Sequence, residues 1–160
     1  MTIQEIKKLA PSHIIISPGL GRPEGTGVSI SIVKVLGSPI PILEVCLGHQ
    51  AICMAHRATI TYAQKLMHGK QSIVTFNIAC PLFKGLPNSG SVTRYHSLAV
   101  DPTTIPPCLE ITARTADGEV MAVQHKSYPI YGLQFHPESI MTFNGKMILC
   151  NFMKEPQNDQ

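Results

Sequence analysis

Between residues 13 and 56 short apolar runs alternate with segments of helical spacing, and that alternation restricts the chain to few folds. HIIIS (13–17) is a β-branched run closed by the breaker-rich stretch PGLGRPEGTG. PILEV (41–45) is a second apolar strand, and LGHQAICMAH (47–56) has helical spacing. VSISIVKVL (28–36) suits helix or strand on propensity alone; the crossover that two buried parallel strands require favours helix. Upstream, Thr2 followed by Glu5 reads as a capping box opening a short helix that Pro11 ends. A βαβα order implies a parallel sheet covered on both faces.

The second half changes character. ATITYAQKLM, QSIVTFNI, SVTRYHSL, LEITART, EVMAVQH and YPIYGLQF are strand-like, and Asp117-Gly118 marks a hairpin turn between two of them. TFNGKMILCNFMK reads as a closing helix. The expected fold class is α/β: a mostly parallel sheet flanked by helices, with an antiparallel β addition. No repeat, low-complexity tract or linker divides the chain, so residues 1–160 are expected to form a single domain.

Composition removes whole classes of function. Apolar residues are 44% and charged residues 14%, a globular balance rather than a disordered one. No apolar run approaches the roughly 20 residues that span a bilayer, and the first residues lack a signal-peptide core. A cytoplasmic protein without membrane contact is expected. The net charge of +3 comes from scattered Lys and Arg; with no basic stripe or aromatic platform, no nucleic-acid partner is expected. The five cysteines (Cys46, Cys53, Cys80, Cys108, Cys150) are odd in number and never spaced C-x-x-C, which suits neither a disulfide framework nor a zinc ribbon. No metal site is expected, and most of the thiols read as small buried hydrophobes.

Three segments carry chemistry. In VCLGHQ (45–50), Cys46 stands between the end of a buried strand and the start of a helix. A helix N-terminus favours the thiolate, and a sharp strand-to-helix turn exposes the sulfur and aims the Leu47 N–H at a developing oxyanion. A lone cysteine is more often an inert core residue. In QFHPE (134–138), His136 and Glu138 sit two apart beyond a strand's C-terminal end, where open α/β sheets build sites. The histidine suits a base for the thiol and the carboxylate its orienter; alone, such a pair reads more readily as a solvated loop. In SPGLGRP (17–23), glycines let backbone N–H groups approach a ligand, though a plain turn explains them equally well.

Together the segments are far more specific. With SPGLGRPEGTG, PILEVCLGHQAI, KLMHGK, RYHSL and GLQFHPESI, the chain resembles the class I (triad) glutamine amidotransferases from about residue 2 to 153. Within them it is similar to the small subunits of anthranilate synthase and aminodeoxychorismate synthase. RYHSL (94–98) favours this chorismate-using subfamily over the amidotransferases of nucleotide and carbamoyl phosphate synthesis.

The resemblance implies Cys46 as nucleophile, His136 as general base and acid, and Glu138 as its orienter. It implies an oxyanion site from Leu47 and the Gly19, Leu20, Gly21 loop. Gln50 and the Ser97-Leu98 backbone would hold the α-amino and carboxylate ends of L-glutamine. Ammonia would pass to a chorismate-binding synthase large subunit. No cofactor is implied in this chain, while that partner would use Mg. KLMHGK would lie near the partner interface or the substrate loop, or form a plain surface hairpin.

Four departures from the family pattern stand out. Glu44 replaces a glycine two residues before the nucleophile, where a tight elbow favours glycine and a carboxylate would disfavour the thiolate. His56-Arg57-Ala58 replaces a Gly-Gly pair after the following helix, at an expected cost of about 1 kcal/mol. Leu20 replaces a proline, a mild change. Relatives also begin with a strand, helix and second strand upstream, including an NYDSFT-like segment absent here; a chain lacking that inner strand is expected to be poorly stable and prone to associate. Two other readings accompany the amidotransferase one. They are a non-catalytic, partner-binding remnant and a peptidase-like cysteine hydrolase, the latter disfavoured by RYHSL and HPES.

Overall fold

The computed structural model describes residues 1–16, 27–64 and 69–158. The first element, α1 (Ile3–Leu9), opens as the sequence predicts. The Thr2 hydroxyl accepts from the Glu5 N–H at 3.2 Å, and the Glu5 carboxylate accepts from the Thr2 N–H at 2.7 Å. Then follow β1 (Ile14–Ile16), α2 (Gly27–Leu36), β2 (Ile42–Val45) and α3 (Leu47–Ala55), so the ambiguous 28–36 segment is the crossover helix.

The remaining strands are β3 (Ile60–Tyr62), β4 (Lys70–Phe76), β5 (Ser89–Arg94), β6 (Leu98–Val100), β7 (Leu109–Thr115), β8 (Val120–His125) and β9 (Ile130–Leu133), before α4 (Gly145–Met153). Among the described residues seven strands form one sheet in the order β1-β2-β9-β8-β7-β4-β5. The β1-β2-β9 part is parallel and the rest antiparallel. The antiparallel addition thus continues the parallel sheet edge to edge. Its β7–β8 hairpin turns at Gly118, whose φ of +85° explains the glycine.

β3 behaves otherwise than the strand-like run ATITYAQKLM suggests. Among its described residues three are extended, and they pair with β6 in a separate two-stranded sheet. SVTRYHSL is likewise divided, its first part in the large sheet as β5 and its end in the small one as β6.

Both faces of the large sheet are covered. On one, Leu43, Phe76, Phe83, Leu133 and Phe135 pack with Ile148 and Phe152 of α4. On the other, Val123 and Ile130 pack with Val33 of α2 and Ile52 of α3, while Ile32, Leu36 and Ile42 meet Ile6 of α1. A fully buried Phe or Ile contributes about 1.5–3 kcal/mol, so these two layers hold the sheet that positions the site. β2 is buried at all four positions because it lies between β1 and β9. Its side chains alternate, sending Leu43 towards α4, and Ile42 and Glu44 towards the α2–α3 side.

Candidate active site

Cys46 follows directly on β2, and its backbone N–H donates to the Leu133 carbonyl at 2.6 Å, extending the β2–β9 pairing by one rung. Its φ and ψ are 55° and −102°. A positive φ at a residue with a β-carbon is strained, and such strain gathers where a side chain must be aimed. Here it turns the chain from strand into α3, whose first residue is Leu47. The expected elbow is present.

The thiol is buried and its pKa raised. Burial is the main cause and the Glu138 carboxylate adds to it, while the Leu47 N–H and the Gln134 side chain pull the other way. Gln134 Nε2 lies 3.6 Å from Cys46 Sγ. Gln134 in turn accepts from Gln50 Nε2 at 3.0 Å, and the same Gln50 nitrogen donates to the Leu98 carbonyl at 3.1 Å. Both Gln50 donors are thus committed to the protein, which leaves Oε1 as the free acceptor function of that side chain.

Beyond β9 the chain continues through Gln134 and Phe135 to His136, held by its N–H donating to the Thr93 carbonyl and by Thr142 Oγ1 donating to the His136 carbonyl at 2.6 Å. His136 Nδ1 and Glu138 Oε1 are 2.6 Å apart. A carboxylate only accepts, so Nδ1 carries the proton and Nε2 the lone pair, the tautomer a base needs. Among the described residues Nε2 is buried with no hydrogen-bond partner. The Tyr95 ring meets the imidazole edge-on at 5.0 Å between centroids.

The family described as Glutamine amidotransferase class-I matches residues 1–156. The chain belongs to the class I glutamine amidotransferases. It is 46% identical over 154 residues to the aminodeoxychorismate/anthranilate synthase component 2 of Bacillus subtilis, covering 96% of this chain and 79% of that one. It is 48% identical to the bifunctional protein TrpGD of Thermotoga maritima, covering 96% of this chain but only 26% of that longer protein. Among solved structures, a putative GMP synthase protein from Thermoplasma acidophilum superposes with a TM-score of 0.83 at 26% identity, covering 94% of this chain and 75% of that one. No helix among the described residues of this amidotransferase is long and apolar enough to cross a membrane.

The other residues expected at the site divide three ways. Gly19, Leu20 and Gly21 lie outside the described residues, as do Lys65–His68 of KLMHGK. Ser97 is exposed and Leu98 half-buried in the short passage from β5 into β6. Both have committed carbonyls: that of Ser97 accepts from the Ala63 N–H and that of Leu98 from Gln50 and from His96 Nδ1 at 2.8 Å.

Sequence reasoning missed what braces that passage. Arg94, His96 and Glu119 are all buried, with Arg94 paired to Glu119 and its Nε donating to His96 Nε2 at 2.9 Å. Burial, and then the adjacent guanidinium, push the His96 pKa down to about 4. The ring is neutral, so its 3.7 Å approach to Glu119 is no ion pair, and its Nδ1 proton is directed at the Leu98 carbonyl. The Arg-x-His spacing in RYHSL is a visible hint; Glu119, just before β8, is not.

Glu44 is wholly buried against Gly48 of α3, its two carboxylate oxygens without partners among the described residues, and burial raises its pKa to about 8. At neutral pH it is largely protonated. The expected repulsion between a Glu44 carboxylate and the thiolate is therefore corrected: burial and the Glu138 carboxylate are what hold the thiol's pKa up. Of the other cysteines, Cys53 and Cys80 are buried as expected, Cys108 is half-buried and Cys150 exposed.

Proposed function

We propose that the chain, acting as a single domain of residues 1–160, is the glutaminase subunit of a cytoplasmic two-chain synthase. The observation that carries the reading is a strained, buried Cys46 at the β2–α3 elbow, with a correctly tautomerised His136–Glu138 pair beyond the adjacent parallel strand. His136 Nε2 takes the Sγ proton as the sulfur attacks the side-chain amide carbon of L-glutamine. The carbonyl oxygen becomes an oxyanion facing the Leu47 N–H, together with the Gly19–Gly21 loop. The imidazolium then gives its proton to the amide nitrogen, the C–N bond breaks, and ammonia leaves a glutamyl thioester. His136 next deprotonates a water that attacks the thioester, and glutamate and the free thiol result. Gln50 Oε1 suits the substrate's ammonium, and the Ser97-Leu98 backbone its carboxylate end.

The partner in this reading is a chorismate-binding synthase that uses the ammonia to make anthranilate or aminodeoxychorismate. Support comes from relatives whose names carry both products. The test is glutamine hydrolysis by the chain mixed with a component I partner. Cys46→Ala abolishes it and His136→Ala lowers it by about 10²–10⁴-fold. Full activity of the Cys46 variant would end the proposal.

The crowding of Gly48 by Glu44 next to the elbow motivates a second reading, a catalytically impaired protein that chiefly binds its partner. On that reading Glu44→Gly raises the glutaminase rate of the complex; an unchanged rate rejects impairment through this residue.

A further inference from the structure

On the flank where α3 ends, His56, Cys108 and His125 come together from three elements. Each offers one ligand atom, and these atoms lie within 4.8 Å of one another. His56 caps the C-terminus of α3, Cys108 immediately precedes β7, and His125 closes β8. We propose that these three side chains form a binding site for a soft divalent cation of the zinc class, with water completing a tetrahedron.

The donor set argues for the metal. One sulfur and two imidazoles, without a carboxylate, suit zinc or cobalt and not magnesium or calcium. Bonds of about 2.0–2.3 Å place tetrahedral ligand atoms roughly 3.3–3.8 Å apart, so the cluster closes by drawing its atoms in by about 1 Å. All three residues are half-buried, which positions them while leaving access. An open groove of about 280 Å³, lined in part by His125, Ser127 and Tyr128, borders the cluster on its His125 side.

The two imidazoles are prepared differently. His56 Nδ1 lies 2.9 Å from the Ile52 carbonyl, which only accepts, so the proton is on Nδ1 and Nε2 is free to ligate. That is the outer-shell arrangement metal-binding histidines use. His125 is the reverse: its Nδ1 accepts from the Ser127 and Tyr128 N–H groups at 3.0 and 3.1 Å, so its proton sits on Nε2. Ligation through Nε2 requires that proton to move to Nδ1; ligation through Nδ1 requires the amides to withdraw. Either way the Ser127–Tyr128 turn, whose tyrosine ring stacks on His125 at 4.6 Å, must rearrange. The Cys108 thiol loses its proton to solvent as it binds.

The experiment uses the full chain carrying Cys46→Ser and Cys150→Ser, so that neither the candidate nucleophile nor the exposed thiol competes. One equivalent of Co²⁺ should give a thiolate-to-cobalt charge-transfer band with tetrahedral visible bands, and shift the Ser127 and Tyr128 amide resonances. Zn²⁺ should then displace the cobalt. Cys108→Ser should abolish the charge-transfer band, and His56→Gln should weaken binding by roughly tenfold or more. A folded chain that gives no band overturns the proposal, as does a band that survives in Cys108→Ser, or binding that leaves the two amides unmoved. Should Cys108→Ser fail to fold, undiminished cobalt affinity in folded His56→Gln overturns it alone.

Discussion

Glu44 and Gly48 compete for one space. A β-carbon built on Gly48 would lie 2.6 Å from Glu44 Oε2 and 2.7 Å from Glu44 Cβ. The second distance matters more, because a β-carbon cannot swing aside as a carboxylate tip can. Gly48→Ala should therefore destabilise the fold by about 1–3 kcal/mol, as overpacking does. Adding Glu44→Gly should restore most of that, giving a coupling of about 1 kcal/mol or more in a denaturant-melt double-mutant cycle. Additive effects would show that the two side chains do not meet.

Glu44 also sets a pH dependence. Its folded pKa is about 8, raised by burial, against about 4.3 in an unfolded chain. Between those values the folded state holds a proton that the unfolded state has lost, so stability falls as pH rises. The full penalty is on the order of 5 kcal/mol and is reached above pH 8. Glu44→Gln, which cannot ionise, should match the parent near pH 4 and pull ahead of it between pH 5 and 8. Parallel stability curves across that range would refute the assignment.

Arg57 closes α3 with a left-handed backbone, φ +70°. The Ala58 N–H donates to the Cys53 carbonyl and the Arg57 N–H to that of Met54, which is the Schellman pattern with a non-glycine at its left-handed position. Arg57→Gly should stabilise the chain by about 1 kcal/mol, visible as a rise of a few degrees in Tm. A lower Tm would mean that the arginine side chain makes a compensating contact.

Where local chemistry dictates structure, the sequence is readable. The Thr2–Glu5 box, the Asp117-Gly118 turn and the strained Cys46 elbow each follow from neighbours within a few positions, and the 28–36 helix from the crossover that two flanking parallel strands require. What cannot be read depends on pairing across the chain. Nothing in RYHSL says that its two halves join different sheets, or that Glu119 supplies the charge that Arg94 needs. His56, Cys108 and His125 are distant in sequence, so no spacing rule could gather them. Glu44 stands out as a departure, but its protonation follows from burial between β2 and α3, which only the packing reveals.

On the proposed function, the Arg94–His96–Glu119 network joins stability to substrate geometry, and its two contributions separate experimentally. Arg94→Met leaves Glu119, only 4% exposed, as a buried carboxylate without its cation. A loss of about 3–5 kcal/mol is expected, much of it recovered when Glu119→Leu is added. His96→Phe is subtler: it keeps an aromatic ring but removes the Nδ1–H that directs the Leu98 carbonyl and the Nε2 that accepts from Arg94. That carbonyl also receives Gln50, which bonds Gln134 beside the Cys46 sulfur. If glutamine is held as proposed, loosening this chain disturbs its placement more than the cleavage of the amide bond. KM for glutamine in the reconstituted complex should rise severalfold, with a smaller change in kcat. A collapse of kcat at constant KM would place His96 in the chemistry instead.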